Sequence, residues 1–302
     1  MSRSLDRVGG TGGTGGTVGA LFYGGYMTLH ESTMSTSTIR QRFRDLHVPG
    51  RPLLIPNPWD AGSAKVLESL GFRALATTSA GFAGTVGRLD GSVTRDEALR
   101  HAEHVAAAVT VPVSADLESC FASDASGVAE TVRLAAAAGL AGCSIEDYDG
   151  DTGGLFPIEA AAERVAAAAE AAHAGPDPLV LTARADGTLH GLEDLDDTIA
   201  RLRAFEEAGA DVLYAPGVSA VADLRRIFGA VSLPINVLAL PDAPSVAQLA
   251  EVGVARVSVG SGFFLAAMGA LAAAGRELLD EGTYRFWDSA LSGREATSAA
   301  FA

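Results

Sequence analysis

Short apolar runs and helical runs alternate along this chain between Leu53 and Gly260. Eight runs have the length and aliphatic composition of buried strands. They are Leu53–Pro56, Ala74–Thr77, Val113–Asp116, Cys143–Glu146, Val180–Arg184, Val212–Ala215, Ile235–Val237 and Val257–Gly260. Helical patterns separate them, as at Ala61–Leu70, Arg95–Val109, Val128–Ala138, Ile158–Ala174, Asp196–Ala208 and Ser245–Glu251. This alternation predicts a parallel sheet covered by helices.

Glycine residues mark the ends of several helical runs. Four of them stand between a helix and the next strand, at Gly71, Gly139, Gly209 and Gly253, where the left-handed C-cap conformation favours glycine. Eight strand–helix units in about 250 residues match the size of a closed (β/α)8 barrel of the TIM type. An open, doubly wound sheet is the alternative, but the first strand lacks the Gly-x-Gly-x-x-Gly turn of dinucleotide-binding sheets. The sequence therefore predicts a (β/α)8 barrel.

The first 36 residues differ in composition from the rest. The segment Thr11–Thr17 consists of glycine and threonine alone, which is typical of a flexible, low-complexity chain. The apolar stretch after it is short and broken by glycines, so it is a poor secretory signal. We expect a disordered tail over residues 1–36 and a single barrel domain with a C-terminal helical extension over residues 37–302.

The composition excludes several classes of partner and mechanism. The net charge of −15 argues against nucleic acid and anionic membranes as partners. The longest apolar run, residues 262–274, is too short to span a bilayer and predicts a buried, alanine-rich helix. Cys120 and Cys143 are too few for a disulfide framework, which favours a reduced, cytoplasmic setting. Lys65 is the sole lysine and lies in a helical run, so a lysine Schiff base is not expected.

Charged side chains follow three successive strand runs at the points where the strands end. They are Asp116 and Glu118 after the third run, Glu146 and Asp147 after the fourth, and Arg184 and Asp186 after the fifth. Because the carboxyl ends of parallel strands converge on one face of a barrel, we expect these side chains to meet there. Carboxylate oxygens suit Mg²⁺ or Mn²⁺, with Asp116 and Glu146 as ligands and Glu118 acting through water. The planar guanidinium of Arg184 suits a bound carboxylate or phosphonate.

Each of these assignments has a simpler alternative. Acids at strand ends often cap the next helix, which would account for one of them more easily than for three on adjacent strands. Arg184 could instead form a structural ion pair with Glu146. The hydroxyl-rich turn over residues 76–82 could offer N–H groups to an anion or be an ordinary tight turn. Cys120 has no histidine at a matching position, so a buried free thiol is expected there rather than a nucleophile.

Five segments, in this order, resemble the isocitrate lyase/phosphoenolpyruvate mutase superfamily. They read Asp60-Ala-Gly-Ser-Ala-Lys, Thr77-Thr-Ser-Ala-Gly, Ala115-Asp-Leu-Glu-Ser, Ser144-Ile-Glu-Asp and Thr182-Ala-Arg-Ala-Asp. The resemblance covers nearly the whole of the predicted barrel. It implies a (β/α)8 barrel whose last helix is often exchanged between subunits, in homodimers or homotetramers. It also implies a Mg²⁺ ion held around Asp116, Glu118 and Glu146.

The same resemblance implies roles for residues around the metal. Thr78 and Ser79 lie at the turn that binds the substrate carboxylate in the superfamily. Asp90, in Gly87-Arg-Leu-Asp-Gly, matches an acid near the metal. Arg184 matches the anion-binding arginine, and Asn236 matches a residue that contacts substrate.

The loops after the metal carboxylates depart from the known members. Isocitrate and methylisocitrate lyases carry a Lys-Lys-Cys-Gly-His-type loop, which neither the loop after Glu118 nor the loop after Glu146 contains. Phosphonomutases and phosphonopyruvate hydrolases have a lysine and an asparagine in the loop after the second metal carboxylate. No basic residue occurs here from Asp147 through Glu163. A transferring phosphoryl group needs cationic stabilisation, so the sequence disfavours phosphonate chemistry.

These observations predict a Mg²⁺-dependent carbon–carbon lyase or decarboxylase that acts on a small 2-oxo or 2-hydroxy acid through a metal-stabilised enolate. Arg184 would stabilise the developing charge, and Asp90 and Tyr148 are the candidates for an acid or base. One alternative is a mutase or hydrolase of phosphonate P–C bonds, and another is a non-catalytic barrel that binds an acidic metabolite. The expected partners are a small anionic metabolite and further copies of this chain.

Overall fold

The computed structural model describes residues 36–192 and 194–302. Thr36 is the first residue of the first helix, α1. The rest of the predicted tail, residues 1–35, lies outside the described residues.

Eight strands of the described chain form one parallel sheet, in the order β1-β10-β9-β8-β7-β4-β3-β2. The remaining two, β5 and β6, pair with each other as a small antiparallel hairpin. The strands are β1 Leu53–Ile55, β2 Leu75–Ala76, β3 Val113–Asp116, β4 Gly142–Glu146, β5 Tyr148–Asp149, β6 Gly154–Leu155, β7 Val180–Arg184, β8 Val212–Tyr214, β9 Ile235–Leu238 and β10 Arg256–Ser258. The N–H of Ala76 donates to the carbonyl of Pro56 at 3.1 Å, which links the first two strands across the gap. The predicted (β/α)8 barrel is therefore confirmed as a nearly closed sheet.

Helices connect the strands and surround the sheet. They are α1 Thr36–Asp45, α2 Ala61–Ser69, α3 Ser79–Thr85, α4 Arg95–Ala107, α5 Ala125–Ala137, α6 Ile158–Ala172, α7 Gly187–His190, α8 Leu195–Glu207, α9 Val221–Phe228, α10 Val246–Glu251, α11 Gly262–Asp280 and α12 Trp287–Phe301. The four glycines expected at C-caps all have positive φ, between 80° at Gly139 and 99° at Gly253. This conformation costs other residues energy, which explains why glycine recurs at these helix–strand junctions.

Helix α1 covers the amino end of the barrel. Phe43 is fully buried in a cluster formed by the first residues of several strands and by residues just before them. Arg40, also on α1, donates to the carbonyl of Ala136 at 2.7 Å, in the last turn of α5, and to that of Leu140 at 2.9 Å, in the connection from α5 to β4. These contacts close the amino end, so the carboxyl ends of the strands remain the accessible face.

Helix α11 differs from the prediction. The apolar run was expected to be short and buried, but the helix continues to Asp280, and Phe264 is its one buried residue. Leu271 is 66% exposed and Leu279 is 85% exposed. By length and composition alone, with 19 residues and a mean hydropathy of 1.4, α11 could cross a membrane. The prediction was wrong because alanine-rich composition reports the polarity of a helix and not whether the rest of the chain packs against it.

Candidate active site at the carboxyl end of the barrel

The strand register brings polar side chains into one layer inside the barrel. Glu146 pairs with Arg184, and Arg184 pairs with Tyr214 on the next strand. Tyr214 pairs with Asn236, which in turn pairs with Arg256. Residues paired in register point to the same face of a sheet, so all five side chains are directed alike. The strand-end residues predicted to meet are thus held by the barrel itself.

Arg184 lies at the centre of the acidic cluster. Its Nε and Nη2 donate to the two carboxylate oxygens of Asp186, at 3.1 and 2.7 Å. Its Nη1 lies 2.9 Å from Asp116 Oδ1 and 3.1 Å from Glu146 Oε2. Burial acts to lower the pKa of Arg184, but the three carboxylates outweigh it and raise that pKa well above its usual value. The ion pair between Arg184 and Glu146 is therefore present, together with two further partners.

Asp116 connects the arginine to the turn after β2. Its Oδ2 accepts from the backbone N–H of Ser79 at 3.2 Å, and its own N–H donates to Thr77 Oγ1 at 2.9 Å. Thr78 caps α3 by accepting from the N–H of Gly81 at 3.3 Å. The turn expected to bind a substrate carboxylate therefore does offer an N–H to an anion, and in this structure the anion is Asp116.

Glu118 carries an unpaired buried oxygen beside this cluster. Its Oε1 is buried without a hydrogen-bond partner among the described residues. Burial, and then the charges of Asp116 and Asp90, raise the pKa of Glu118 to about 8. Burial likewise raises the pKa of Glu146 well above its usual range, against the opposing charge of Arg184. The site thus holds more buried carboxylate than its arginine neutralises.

The surplus of carboxylate fits a hard divalent cation. Within residues 36–192 and 194–302, no three side chains of His, Cys, Asp or Glu lie close enough together to form a complete metal site. Mg²⁺ does not need one, because it usually keeps several waters and binds through one or two carboxylates. The unpaired oxygen of Glu118 and the raised pKa values of Glu118 and Glu146 are the features that a cation would relieve.

The remaining predicted residues differ in whether they interact with this cluster. Asp90 lies on an exposed loop, and partial burial of its carboxylate raises its pKa, while a hydrogen bond with Ser79 lowers it. Tyr148 lies on the β5–β6 hairpin, and its ring stacks on His190 with centroids 3.7 Å apart. The amide oxygen of Asn236 accepts from Arg256 Nε, and its amide nitrogen donates to Ser258 Oγ, at 2.9 Å in each case. Asp90 therefore joins the cluster, whereas Asn236 belongs to a separate buried network.

Two structural roles were missed by the sequence reasoning. Asp147 was grouped with the site acids, but it accepts from the N–H of Asp186 at 2.8 Å and from Arg201 Nη1 at 3.2 Å, and so ties two loops together. Arg256 was not singled out, yet its Nη1 donates to Thr182 Oγ1 at 3.0 Å inside the barrel. Burial lowers the pKa of Arg256 to about 10. The signal in the sequence was an arginine flanked by apolar residues, directly before the predicted strand Val257–Gly260.

The pKa of Glu118 gives a pH dependence for the metal-free protein. Because its folded pKa of about 8 lies above the ordinary 4.5, the stability from its protonated form is complete below about pH 4.5 and is lost as the pH rises towards 8. We expect the melting temperature in EDTA to fall between pH 5 and 8, and to fall less steeply in Glu118→Gln. Glu251→Gln, at an exposed position, is the control. Equal slopes in all three proteins would contradict the assignment.

Fold and site together define a class. The chain is a parallel (β/α)8 barrel that gathers carboxylates around an arginine at the carboxyl ends of its strands, the face on which enzymes with this fold place their active sites.

Comparison with known proteins identifies the family within that class. The family model for phosphoenolpyruvate phosphomutase matches residues 43–279, and the chain belongs to the isocitrate lyase/phosphoenolpyruvate mutase superfamily. It is 31% identical to 2-methylisocitrate lyase of Escherichia coli K12 over 211 residues, which span 67% of this chain and 70% of that protein. It is also 31% identical to oxaloacetate decarboxylase of Bradyrhizobium sp. BTAi1, over 61% of this chain and 65% of that protein. A solved structure from Burkholderia cenocepacia J2315, provisionally described as a lyase/mutase, is 47% identical with a TM-score of 0.82, covering 87% of this chain and 95% of that one.

Proposed function

We propose that this protein is a Mg²⁺-dependent carbon–carbon lyase or decarboxylase that acts on a small 2-oxo or 2-hydroxy acid. The observation that carries the proposal is the buried surplus of carboxylate around Arg184, with an unpaired oxygen on Glu118. Relatives that are lyases and a decarboxylase support it. Mn²⁺ is expected to substitute for Mg²⁺, because both prefer carboxylate and water ligands.

Asp116 and Glu146 would hold the cation, with Glu118 acting through water. When bound, Mg²⁺ would polarise the 2-oxo group of the substrate and stabilise the enolate that bond cleavage leaves. Arg184 Nη1 is shared by Asp116 and Glu146 in this structure. If those acids turn to the cation, Nη1 becomes available for a substrate carboxylate, while Asp186 keeps the guanidinium in place through its two bonds.

The need for a base depends on which bond is cleaved. Loss of CO₂ from a β-carboxy 2-oxo acid needs no base to begin, which suits a site without a reactive cysteine. Cys120 is buried and its pKa is raised well above the usual value by burial, so it is a poor proton acceptor. For a retro-aldol cleavage we propose Asp90 as the base, because its pKa is raised and it bonds to Ser79. Tyr148, on the neighbouring hairpin, is the second candidate.

Phosphonate chemistry is the competing enzymatic function, since the matching family model is that of a phosphomutase. The β5–β6 hairpin and its tip carry Asp149 and Asp151 and no lysine or arginine. A partly buried dianionic phosphonate that gains no cation from this hairpin is costly to hold, and these two acids would add repulsion. A carboxylate that leaves as neutral CO₂ has no such need.

Substrate preference tests the proposal. We expect kcat/KM for oxaloacetate or an alkylmalate to exceed that for phosphonopyruvate under identical Mg²⁺. A tenfold preference for phosphonopyruvate, about 1.4 kcal/mol of transition-state stabilisation, would replace the lyase proposal with the phosphonate one. Binding of these acids without turnover of any of them would favour a non-catalytic barrel.

We also propose that the protein is a cytoplasmic homodimer or homotetramer, assembled through α11 and α12. The two helices expose a series of large apolar side chains, among them Leu271, Leu279 and Trp287. An exposed apolar surface of this kind is typical of an interface. We expect Leu271→Asp to shift the mass measured by light scattering towards the monomer. Leu70→Asp, with a side chain equally exposed at 67% but outside these helices, should not. A monomeric wild-type protein would contradict this part of the proposal.

A further inference from the structure

The loop that follows β3 has a strained backbone. Three of its residues that are not glycine, Glu118, Cys120 and Phe121, have φ of 49°, 60° and 52°. This left-handed region costs such residues roughly 1–2 kcal/mol each. Strain of this kind persists only where the surrounding structure fixes it. Some of the neighbours of this loop must therefore hold Glu118 in place.

Four hydrogen bonds supply that restraint. The carbonyl of Glu118 accepts from the N–H of Glu146 at 3.0 Å, and the N–H of Cys120 donates to the carbonyl of Leu117 at 2.7 Å. Cys120 also accepts at its carbonyl from Thr131 Oγ1 at 2.9 Å. The fourth bond comes from a charged donor, since Arg164 Nη2 lies 2.7 Å from the carbonyl oxygen of Ser119.

Arg164 is an unusual residue to find at that position. It projects from α6 and is only 4% exposed, and its guanidinium lies over the ring of Phe156 at 4.1 Å. Its Nε and Nη1 are buried without a hydrogen-bond partner among the described residues. Within that part of the chain no carboxylate forms an ion pair with it. Each buried donor left unsatisfied costs on the order of 1–3 kcal/mol, so Arg164 is poorly suited to a purely stabilising role.

We infer that Arg164 is a positioning residue for Glu118. By binding the carbonyl of Ser119, it holds the left-handed turn that directs Glu118 towards Asp116. By packing on Phe156, which directly follows the β5–β6 hairpin, it couples this turn to the loop after β4. The inference rests on the proposed function, because it takes Glu118 to act on a cation.

Binding of Mn²⁺ to the full-length protein tests the inference with a readout other than activity. We expect Arg164→Met to raise the Kd for Mn²⁺, measured by electron paramagnetic resonance, about tenfold relative to wild type. Arg164→Lys keeps a cationic donor and should bind with intermediate affinity. Arg133→Met is the matched control, because Arg133 lies on the adjacent helix α5 and pairs on the surface with Glu130. Its Kd should equal that of the wild type.

A double variant separates positioning from general loss of structure. If Arg164 acts through Glu118, then Glu118→Gln combined with Arg164→Met should bind Mn²⁺ within about twofold of Glu118→Gln alone. Wild-type affinity in both Arg164→Met and Arg164→Lys would overturn the inference and leave the proposed function standing. Should Arg164→Met fail to fold, the inference would be overturned by wild-type affinity in Arg164→Lys, or by a loss in Arg164→Lys that adds in full to the loss in Glu118→Gln when the two are combined. A wild-type protein that does not bind Mn²⁺ would overturn both.

Discussion

Arg184→Lys is expected to lower kcat/KM by roughly 1,000-fold, or about 4 kcal/mol of transition-state stabilisation. Arg184 uses all three of its nitrogens, two on Asp186 and one shared between Asp116 and Glu146. Lysine concentrates its charge on one atom and cannot reproduce this fork. The loss should appear mainly in kcat if the guanidinium stabilises the enolate, and mainly in KM if it binds only the substrate.

The measurement is steady-state kinetics with oxaloacetate at saturating Mg²⁺, with melting temperatures recorded alongside. Arg225→Lys makes the same substitution at an exposed position on α9 and should behave as wild type. A kcat/KM within threefold of wild type for Arg184→Lys would show that the arginine has a structural role and does not contact the reacting acid.

Asp116→Ala is expected to remove most activity without unfolding the protein. Asp116 accepts from Arg184 and from the N–H of Ser79, and it is proposed as a cation ligand. Its loss leaves Arg184 bound to Asp186 and removes one of the charges that raise the pKa of Glu118. We therefore expect the melting temperature of the metal-free variant to stay close to that of the wild type, while kcat falls at least 1,000-fold, about 4 kcal/mol.

Metal dependence belongs to the same experiment. Activity of the wild type should disappear in excess EDTA and return when Mg²⁺ or Mn²⁺ is added, whereas neither ion should restore Asp116→Ala. Asp242→Ala is the matched control, because Asp242 is an exposed acid in the loop that follows β9 and lies outside the cluster. Full turnover of the wild type in excess EDTA would exclude the metal.

Sequence periodicity was sufficient to predict the barrel and the meeting of the strand-end acids. Strand ends are visible in the sequence because apolar runs stop there, and parallel topology then determines which ends converge. The partners of Arg184 were only partly predictable. An ion pair with Glu146 is one of the alternatives that the sequence offers. The two hydrogen bonds from Arg184 to Asp186 depend on how the chain turns after β7, which the periodicity of the sequence does not report.

Features that depend on packing were not predictable in the same way. The exposure of α11 depends on what lies beside it. The left-handed turn at Glu118 and Cys120 contains no glycine, so the residue type gave no warning of it.

The seal that α1 makes at the amino end has a kinetic consequence. Because Phe43 and Arg40 close that end, the site can be reached only from the carboxyl ends of the strands. A reaction that splits one molecule into two must then discharge both fragments through the opening by which the next substrate enters. Product inhibition and an ordered release of fragments are the behaviour that such a single passage favours.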